Sequence, residues 1–315
     1  MDTCGESKLL LTDMTSSSTS QREVTLLTPC YARDIDRLRY LRQSIVACGI
    51  HLPHVIVVPD ADFPLFASYA NAPNVSVYVY SDVLPESLLT YLASGPRWFD
   101  HIRGRRYGGG MLRVRWGWMQ QQYVKLAAGT VVDTDTWICV DSDIAFIKWV
   151  GAESFTSSSG DPLLLELHNF PLGKDGESVV HTLRASSCRM LGLPSQESAD
   201  QIIYSGWLVP FQKRIAGALI QYIDERYRQP WWASMARFGA SEYESYGLFA
   251  RHIYRDSLIV PEDRRWCWLF YSLDSFDGLL RYAVEDVGVA AVMIDAHLSD
   301  GVDTAMSRIA TYWRN

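Results

Sequence analysis

The sequence has no long hydrophobic run. Although 48% of its 315 residues are hydrophobic, no stretch approaches the roughly 18 apolar residues that a transmembrane helix needs. The amino terminus also lacks the basic start and long apolar core of a signal peptide. Residues 1–21, which end in a run of Ser and Thr, are expected to form a disordered tail. We therefore expect a cytoplasmic protein.

Basic residues are outnumbered by acidic ones, 29 against 36, and the cysteines are not paired in the sequence. The formal net charge is −7, which argues against a general nucleic-acid-binding protein. The six cysteines show no metal-type or disulfide-type spacing, and Cys139 lies inside an apolar strand. Reduced thiols, as in a cytoplasmic protein, are therefore expected.

No glycine-rich phosphate motif follows a predicted strand, which excludes the usual dinucleotide fingerprint and the P-loop. Instead, apolar strands alternate with amphipathic helices, beginning with strand 24–28, helix 34–48 and strand 54–59. This alternation is typical of an α/β protein with a parallel sheet and right-handed crossovers. Further strands are predicted over 75–80, 137–140, 163–167, 201–209 and 289–294, and further helices over 63–69, 113–128, 178–191 and 212–228.

The chain is organised around Asp141 and Asp143, which follow the apolar strand 137–140. Alternate residues of a strand point to the same side, so both carboxylates can share a side where the strand ends. Two neighbouring carboxylates repel each other, and a hard divalent cation relieves that repulsion. Ligands bind at the carboxyl ends of strands in open α/β sheets. The pattern predicts a metal site, and the alternative is a turn with a capping Asp.

Three other D-x-D triplets lack this context. Residues 34–36 open a helix, where acidic side chains simply favour the helix dipole. Residues 133–135 lie at the amino end of the same strand, away from the crevice. Residues 60–62 follow a strand and could line the same crevice. Only 141–143 has a buried strand before it and an apolar continuation, 144–147, after it.

Two cationic features precede the acidic strand. Six arginines fall between residues 97 and 115, around Gly108–Gly110. They form either a solvated loop or a mobile loop whose guanidinium groups bind phosphate. In the helix that follows, Gln121 and Lys125 lie four residues apart and share a face. They could meet a ligand's ribose, phosphate or carbonyl group, and Lys125 could equally be a salt-bridged surface residue.

Two features stand out in the second half. Ser241 and Glu244 fit an S-x-x-E capping box, which accounts for Glu244 and leaves Glu242 without a structural role. Trp231 and Trp232 follow Pro230, which interrupts the chain after the predicted helix 212–228. Tryptophans of this kind belong either to the core or to a membrane interface.

In order and spacing, these motifs resemble the GT-A class of nucleotide-sugar-dependent glycosyltransferases. In detail they resemble bacterial glycosyltransferase-like proteins tied to surface or exopolysaccharide synthesis. The resemblance spans residues 22–300, and its motifs are Thr28-Pro29-x-Tyr31, Trp118-x-x-Gln121-Gln122-x-x-Lys125, Val140-Asp141-Ser142-Asp143, Ser241-Glu242-Tyr243-Glu244-x-Tyr246-Gly247 and His297. It implies a GT-A-like, Rossmann-type fold: a mixed, mostly parallel sheet flanked by helices in a single α/β domain over 22–315. Residues 22–160 would bind the nucleotide sugar and 161–315 the acceptor.

The resemblance also implies a role for each matching residue. The residues expected to bind the nucleotide sugar are Thr28, Pro29, Tyr31, Asp60, Gln121, Lys125, Asp141 and Ser142. Asp141, Asp143 and His297 would hold Mn²⁺ or Mg²⁺, although a lone His at a strand end is also a common structural hydrogen-bonding residue. Glu242, with Glu244 as a second candidate, would take the proton of the acceptor hydroxyl.

The reaction so implied moves a sugar from a nucleoside-diphosphate donor, a UDP-sugar above all, to a saccharide acceptor, with inversion. We expect that acceptor to be lipid-linked and the protein to associate peripherally with the membrane. One alternative is a sugar nucleotidyltransferase, which usually carries a glycine-rich basic loop where this chain has residues 28–31. The other is an inert carbohydrate-binding protein that retains the fold.

Overall fold

A five-stranded sheet lies at the centre of the computed structural model, which describes residues 24–94, 112–157, 163–168, 174–194, 202–204, 206–255, 267–270, 276–285, 289–294 and 302–313. The strands are β1 (Val24–Pro29), β2 (His54–Val58), β3 (Val75–Val79), β4 (Thr136–Cys139), β5 (Ile144–Phe146), β6 (Leu167–His168), β7 (Ile202–Ile203), β8 (Val209–Gln212), β9 (Cys267–Phe270) and β10 (Ala291–Ile294). The sheet has the order β3-β2-β1-β4-β8. Its first four strands are parallel, and β8 runs antiparallel to β4.

Helices cover this sheet, because its central strands are apolar on both faces. Every residue of β1, β2 and β4 is buried, as expected for strands in the middle of a parallel sheet. The helices are α1 (Ile35–Ala47), α2 (Phe63–Phe66), α3 (Tyr80–Val83), α4 (Glu86–Ala93), α5 (Leu112–Ala127), α6 (Lys174–Leu191), α7 (Lys213–Tyr227), α8 (Trp231–Phe238), α9 (Glu242–Phe249), α10 (Phe276–Glu285) and α11 (Val302–Tyr312). The predicted mixed, mostly parallel α/β fold is confirmed.

A second, three-stranded sheet adjoins the first, in the order β5-β10-β9. In it β10 pairs antiparallel with β5 and parallel with β9. Residues 140–143 lead the chain from β4 in the large sheet into β5 in the small one. The two predicted metal ligands therefore lie where the two sheets meet.

Two strand predictions in the second half are wrong. The segment 163–167 is buried, but its only regular strand is β6, which begins at Leu167. The predicted strand 201–209 is divided into β7 and β8, and the chain turns at Leu208, whose φ is 130°. An apolar run thus predicted burial correctly, but backbone pairing decided where the strands begin and end.

Three further predictions concern membrane spans, the amino-terminal tail and the division of the chain into two halves. In the described ranges, no helix is long and apolar enough to cross a membrane. The tail 1–21 lies outside the described residues. The division into a donor half and an acceptor half stays a prediction.

Candidate active site

A cleft with an empty volume of about 1230 Å³ opens at the carboxyl ends of β1 and β4. Ligands bind in this crevice in open α/β sheets. Its described walls include residues from both halves of the chain. The charged side chains among them are Arg33, Asp34, Arg37, Lys125, Asp141, Asp143 and Glu242.

Asp141 and Asp143 enter this cleft on a turn. After β4 ends at Cys139, the amide of Ile144 donates a hydrogen bond to the carbonyl oxygen of Asp141 over 3.1 Å. The carbonyl oxygen of Asp143 accepts from the amide of Ile294, in the small sheet, over 3.0 Å. Strand alternation was the predicted reason why both carboxylates face one side. The side chains do line the same cleft, but a hydrogen-bonded turn brings them there.

The two carboxylates differ in how their buried oxygens are satisfied. Asp143 Oδ1 is buried and accepts no hydrogen bond from the described residues. Asp141 Oδ1 is also buried, but Lys125 Nζ lies 2.8 Å from it, so an ion pair satisfies this oxygen. Burial, together with the neighbouring charge of Asp141, raises the pKa of Asp143 to about 7.

This donor set fits a hard divalent cation, because both side chains offer carboxylate oxygens to the cleft and the buried Oδ1 of Asp143 has no hydrogen-bond partner among the described residues. Among the described residues, no three His, Cys, Asp or Glu side chains cluster closely enough to form a complete ligand set. Mg²⁺ is commonly held by one or two carboxylates and completed by water and substrate phosphates. The third predicted ligand, His297, lies outside the described residues.

Lys125 is buried among the acidic side chains of the cleft. Its side chain is 5% exposed, and Nζ lies 3.5 Å from Glu242 Oε1 and 4.6 Å from the ring centroid of Tyr243. Burial alone would lower the pKa of Lys125, but the charges of Asp141 and Glu242 raise it well above its usual value. Lys125 therefore stays protonated. The alternative of a surface salt bridge is wrong.

Glu242 is the first residue of α9 and lines the cleft, although it is only 1% exposed. Its amide donates to Gln122 Oε1 over 3.1 Å, and the Ser241 hydroxyl donates to its Oε2 over 3.1 Å. Burial raises the pKa of Glu242, and Lys125 partly opposes that rise. A carboxylate with a raised pKa in a cleft has the properties of a general base.

The neighbouring Glu244 has a different environment. Its Oε1 accepts from the amide of Tyr204 over 3.0 Å, and its Oε2 accepts from Arg184 over 3.4 Å. Ser241 occupies the N-cap position but makes no side-chain capping bond. The capping-box prediction is therefore wrong. Glu244, the second candidate for catalysis, lies outside the described walls of the cleft, where it binds buried groups instead.

Thr28 and Pro29, predicted to bind the nucleotide, are buried within β1 and do not belong to the described cleft walls. Thr28 Oγ1 lies 2.9 Å from His54 Nε2, and Arg42 lies 3.0 Å from His54 Nδ1. A guanidinium can only donate, so Nδ1 accepts and Nε2–H donates to the Thr28 hydroxyl. Burial and the Arg42 charge lower the pKa of His54 to about 3. Thr28 thus has a structural partner inside the sheet.

Tyr31 and Asp60 also lie outside the described walls of the cleft. The Tyr31 hydroxyl donates to the carbonyl oxygen of Gly117 in α5. Asp60 is exposed beyond β2, where its carboxylate accepts from the amide of Ser81 over 3.3 Å. Their roles in binding base and ribose stay predictions.

Gln121 and Ser142 do line the cleft, together with residues that the sequence analysis missed. Among these are Arg33 and Arg37, which it passed over because the acids of residues 34–36 were attributed to the helix dipole. The available signal was their position in the segment that follows β1, because ligands bind near the carboxyl ends of the strands in such a sheet.

An apolar and aromatic wall completes the described cleft. Its residues are Trp118, Val180, Leu183 and Trp207. Trp207 follows Gly206, where an added Cβ would lie 2.7 Å from Leu165 Cδ2, so glycine allows this segment to pack closely. Trp118 belongs to a motif quoted above, whereas Trp207 had no sequence signal.

The fold and the cleft define an α/β protein with an acidic crevice at the carboxyl ends of its parallel strands. The profile of a family of unknown function, DUF6492, matches residues 23–260, and the chain belongs to this family. No curated protein matches the sequence.

Two solved structures of LgtC are similar to this chain. One, of an active-site mutant, has 12% sequence identity and a TM-score of 0.47, and the alignment covers 91% of this chain and 95% of that one. The other, of the galactosyltransferase in complex with donor and acceptor sugar analogues, has 12% identity, the same coverage of both chains and a TM-score of 0.44.

Proposed function

We propose that this protein is a metal-dependent glycosyltransferase that moves a sugar from a nucleoside-diphosphate donor to a saccharide acceptor. One observation carries the proposal. Asp141, which is paired with Lys125, and Asp143, whose buried Oδ1 accepts no hydrogen bond from the described residues, share a cleft with the carboxylate of Glu242 and with two tryptophans. The resemblance of the sequence motifs to GT-A glycosyltransferases supports a UDP-sugar as donor and a role in bacterial polysaccharide synthesis.

Breaking a sugar–phosphate bond leaves a nucleoside diphosphate with developing negative charge. Bound Mn²⁺ or Mg²⁺ would stabilise that charge. Asp141 and Asp143 would hold the ion, and Lys125 keeps the Asp141 carboxylate in place from the protein side. Because the protein holds Asp141 through the buried Lys125 ammonium before any ligand arrives, this side of the cleft would need little rearrangement when charge develops.

Glu242 is proposed to take the proton of the acceptor hydroxyl. Its raised pKa suits a base, and its amide and carboxylate are both held by neighbouring side chains. In an inverting reaction the base lies opposite the leaving group. We therefore expect the product to have the opposite anomeric configuration from the donor sugar, which NMR of the product tests.

The acceptor is proposed to lie against the wall formed by Trp118 and Trp207. Tryptophan presents a large apolar face together with a polar N–H group, which suits a sugar ring. Trp207→Ala is expected to raise the KM for the acceptor, while the affinity for nucleoside diphosphate stays near that of the wild type.

A lipid-linked acceptor and peripheral membrane association are finer parts of this proposal. The tryptophans at 231–232 do not support them: Trp231 is 5% exposed and packs edge-on against Tyr123 with ring centroids 5.7 Å apart. Trp232 packs against Tyr91 at 5.0 Å. Support comes only from the arginines of residues 97–115, whose side chains lie outside the described residues. Flotation with anionic liposomes at low salt tests this part, and absence of binding would refute it.

Incubation with a panel of nucleotide sugars and Mn²⁺ tests the proposed reaction. A glycosyltransferase releases nucleoside diphosphate from one of them when the acceptor is present. A sugar nucleotidyltransferase would instead show pyrophosphate-dependent exchange, and an inert carbohydrate-binding protein would show neither. Calorimetry with UDP, GDP, dTDP and CMP, with and without Mn²⁺, would identify the nucleotide.

A further inference from the structure

The segment that leads from β1 into α1 brings two arginines and one aspartate into the cleft. Asp34 is 6% exposed. Its Oδ1 accepts from Arg37 over 2.9 Å, and its Oδ2 lies 3.5 Å from Arg33 Nε. One carboxylate thus faces two guanidinium groups, so this cluster carries an excess positive charge.

Arg33 supplies the accessible part of that charge. Its side chain is 74% exposed, and its guanidinium lies over the Tyr31 ring, 5.4 Å from the centroid. Tyr31 and Asp34 contact the guanidinium, and Arg33 is part of the described cleft wall. A guanidinium fork binds two oxygens of a phosphate group at once.

Arg37 connects this cluster to the predicted metal ligands. Arg37 and Asp143 line both the large cleft and a small cavity beside it. The Arg37 charge acts against the burial that raises the pKa of Asp143. Arg37, which shares the Asp34 carboxylate with Arg33, therefore lies close to Asp143.

The charges of the whole cleft point to the class of ligand. Three cationic and four acidic side chains line its described walls. A divalent cation on Asp141 and Asp143 would change that balance to positive. A polyanion that touches both the cation and Arg33 would then be attracted more strongly than a neutral sugar.

We propose that Arg33 and Arg37 form a phosphate-binding subsite of this cleft. The inference rests on the proposed function, because a diphosphate is the ligand that could reach the cation with one phosphoryl group and the arginines with the other. The phosphate could belong to the nucleoside-diphosphate donor or to a phosphate-linked acceptor. Arg33 provides the exposed contact, and Arg37 positions Asp34 and the start of the helix.

The test is calorimetric binding of inorganic pyrophosphate in the presence of Mg²⁺. Arg33→Gln is the main variant, because the side chain is exposed and its loss should leave the fold intact. Arg39→Gln is the matched control: Arg39 lies in α1, just after Arg33 in the chain, is 54% exposed and pairs with Asp36 over 3.4 Å, but does not belong to the described walls of this cleft.

We expect Arg33→Gln to weaken pyrophosphate binding by about tenfold, with a smaller dependence on salt, since one charge-assisted contact is lost. Arg39→Gln should bind like the wild type. Arg37→Lys, which keeps the charge but loses the fork, should weaken binding less than Arg33→Gln. Equal pyrophosphate affinity in wild type and Arg33→Gln, or no binding by the wild type, overturns the inference.

Steady-state kinetics then distinguishes the sources of the phosphate. A higher KM for the donor alone in Arg33→Gln assigns the subsite to the nucleoside diphosphate, and a higher KM for the acceptor alone assigns it to a phosphate-linked acceptor. If the wild type transfers sugar and Arg33→Gln has unchanged kinetics, the subsite is wrong and the proposed function stands. If pyrophosphate binding depends on Arg33 but no nucleotide sugar is turned over, the proposed function is wrong and the phosphate site stands.

Discussion

Lys125 Nζ lies 2.8 Å from Asp141 Oδ1 and 3.5 Å from Glu242 Oε1. One buried ammonium group therefore joins a predicted metal ligand to the predicted catalytic base. Gln122, on the same helix as Lys125, accepts a hydrogen bond from the backbone amide of Glu242 through its Oε1 atom. Helix α5 thus holds two sides of the cleft in a fixed relationship.

Replacing Lys125 with Met should destabilise the fold, because the buried Glu242 and the partly buried Asp141 lose their cation. Breaking a buried pair in this way costs about 3–5 kcal/mol. Urea denaturation measures the free energy of unfolding. Adding Asp141→Asn to Lys125→Met should recover part of the loss, since one of the unpaired charges is then removed.

Lys213→Met is the control: Lys213 Nζ donates to the carbonyl oxygen of Val132 over 3.0 Å, so we expect a loss of about 1 kcal/mol. Equal losses for the two lysine variants would contradict the pairing.

Asp143→Asn should abolish metal-dependent nucleotide binding and leave the fold intact. The amide keeps the shape of the side chain but cannot supply an anionic oxygen to a hard cation. Asp133→Asn is the control, since Asp133 is exposed at the other end of β4. Calorimetry of UDP with Mn²⁺ measures the effect, and equal affinity in wild type and Asp143→Asn would refute the metal ligand.

The stability of the metal-free protein should fall as pH rises through about 7. Asp143 has a pKa of about 7 in the folded protein against an ordinary value of 3.8. Between these values the folded state keeps a proton that the unfolded chain has lost. The contribution to stability is therefore complete below pH 3.8 and is lost as pH rises through 7. Urea denaturation of wild type and Asp143→Asn between about pH 5 and 8 measures it, because the variant lacks this titration.

The same proton competes with the cation. Below pH 7, affinity for Mg²⁺ should weaken by up to about tenfold per pH unit, because Asp143 must lose its proton to bind the ion. Asp141→Asn should move this dependence to lower pH, since the neighbouring negative charge is one cause of the raised pKa. An Mg²⁺ affinity that is independent of pH in this range would contradict the assignment.

Glu242→Gln should chiefly lose turnover, whereas Glu244→Gln should chiefly lose stability. Loss of a general base typically lowers the rate by about 10²–10⁴, so Glu242→Gln should reduce turnover while nucleotide and metal affinity stay near wild type. Glu244→Gln should chiefly lower the free energy of unfolding, because Glu244 is fully buried and paired with Arg184. The expected loss is about 3 kcal/mol. Normal turnover by Glu242→Gln would show that another group is the base.

Local patterns were sufficient to predict the α/β class and several residues of the cleft. Buried strands such as β4 carry continuous apolar runs, and helix α5 has its predicted extent to within one residue at each end. Asp141 and Asp143 were recognisable because a polar pair directly follows a buried strand. Gln121 and Lys125 were recognisable because residues four apart share a helical face. Each of these inferences uses only residues that are close together in the sequence.

Only the tertiary structure decided which of the other candidates reach the cleft. The sequence motif around Thr28 indicated a nucleotide contact, but its hydroxyl is held by His54 from the adjacent strand β2. Glu244 fitted a capping box, yet Arg184 and Tyr204 bind its carboxylate from segments 60 and 40 residues away. Side-chain partners that are distant in sequence are set by how helices pack on the sheet, and periodicity carries no information about that packing.

The same reason explains Arg33, Arg37 and Trp207, which the sequence analysis missed. By itself the sequence determined a parallel α/β protein with a pair of carboxylates at a strand end. The packing of α1, α5 and α9 around that strand end decided that a lysine neutralises one carboxylate, that arginines face the same cleft, and which glutamate lies within it. Contacts between distant segments decide such charge pairing, because buried charges need partners and the chain supplies them only once it is folded.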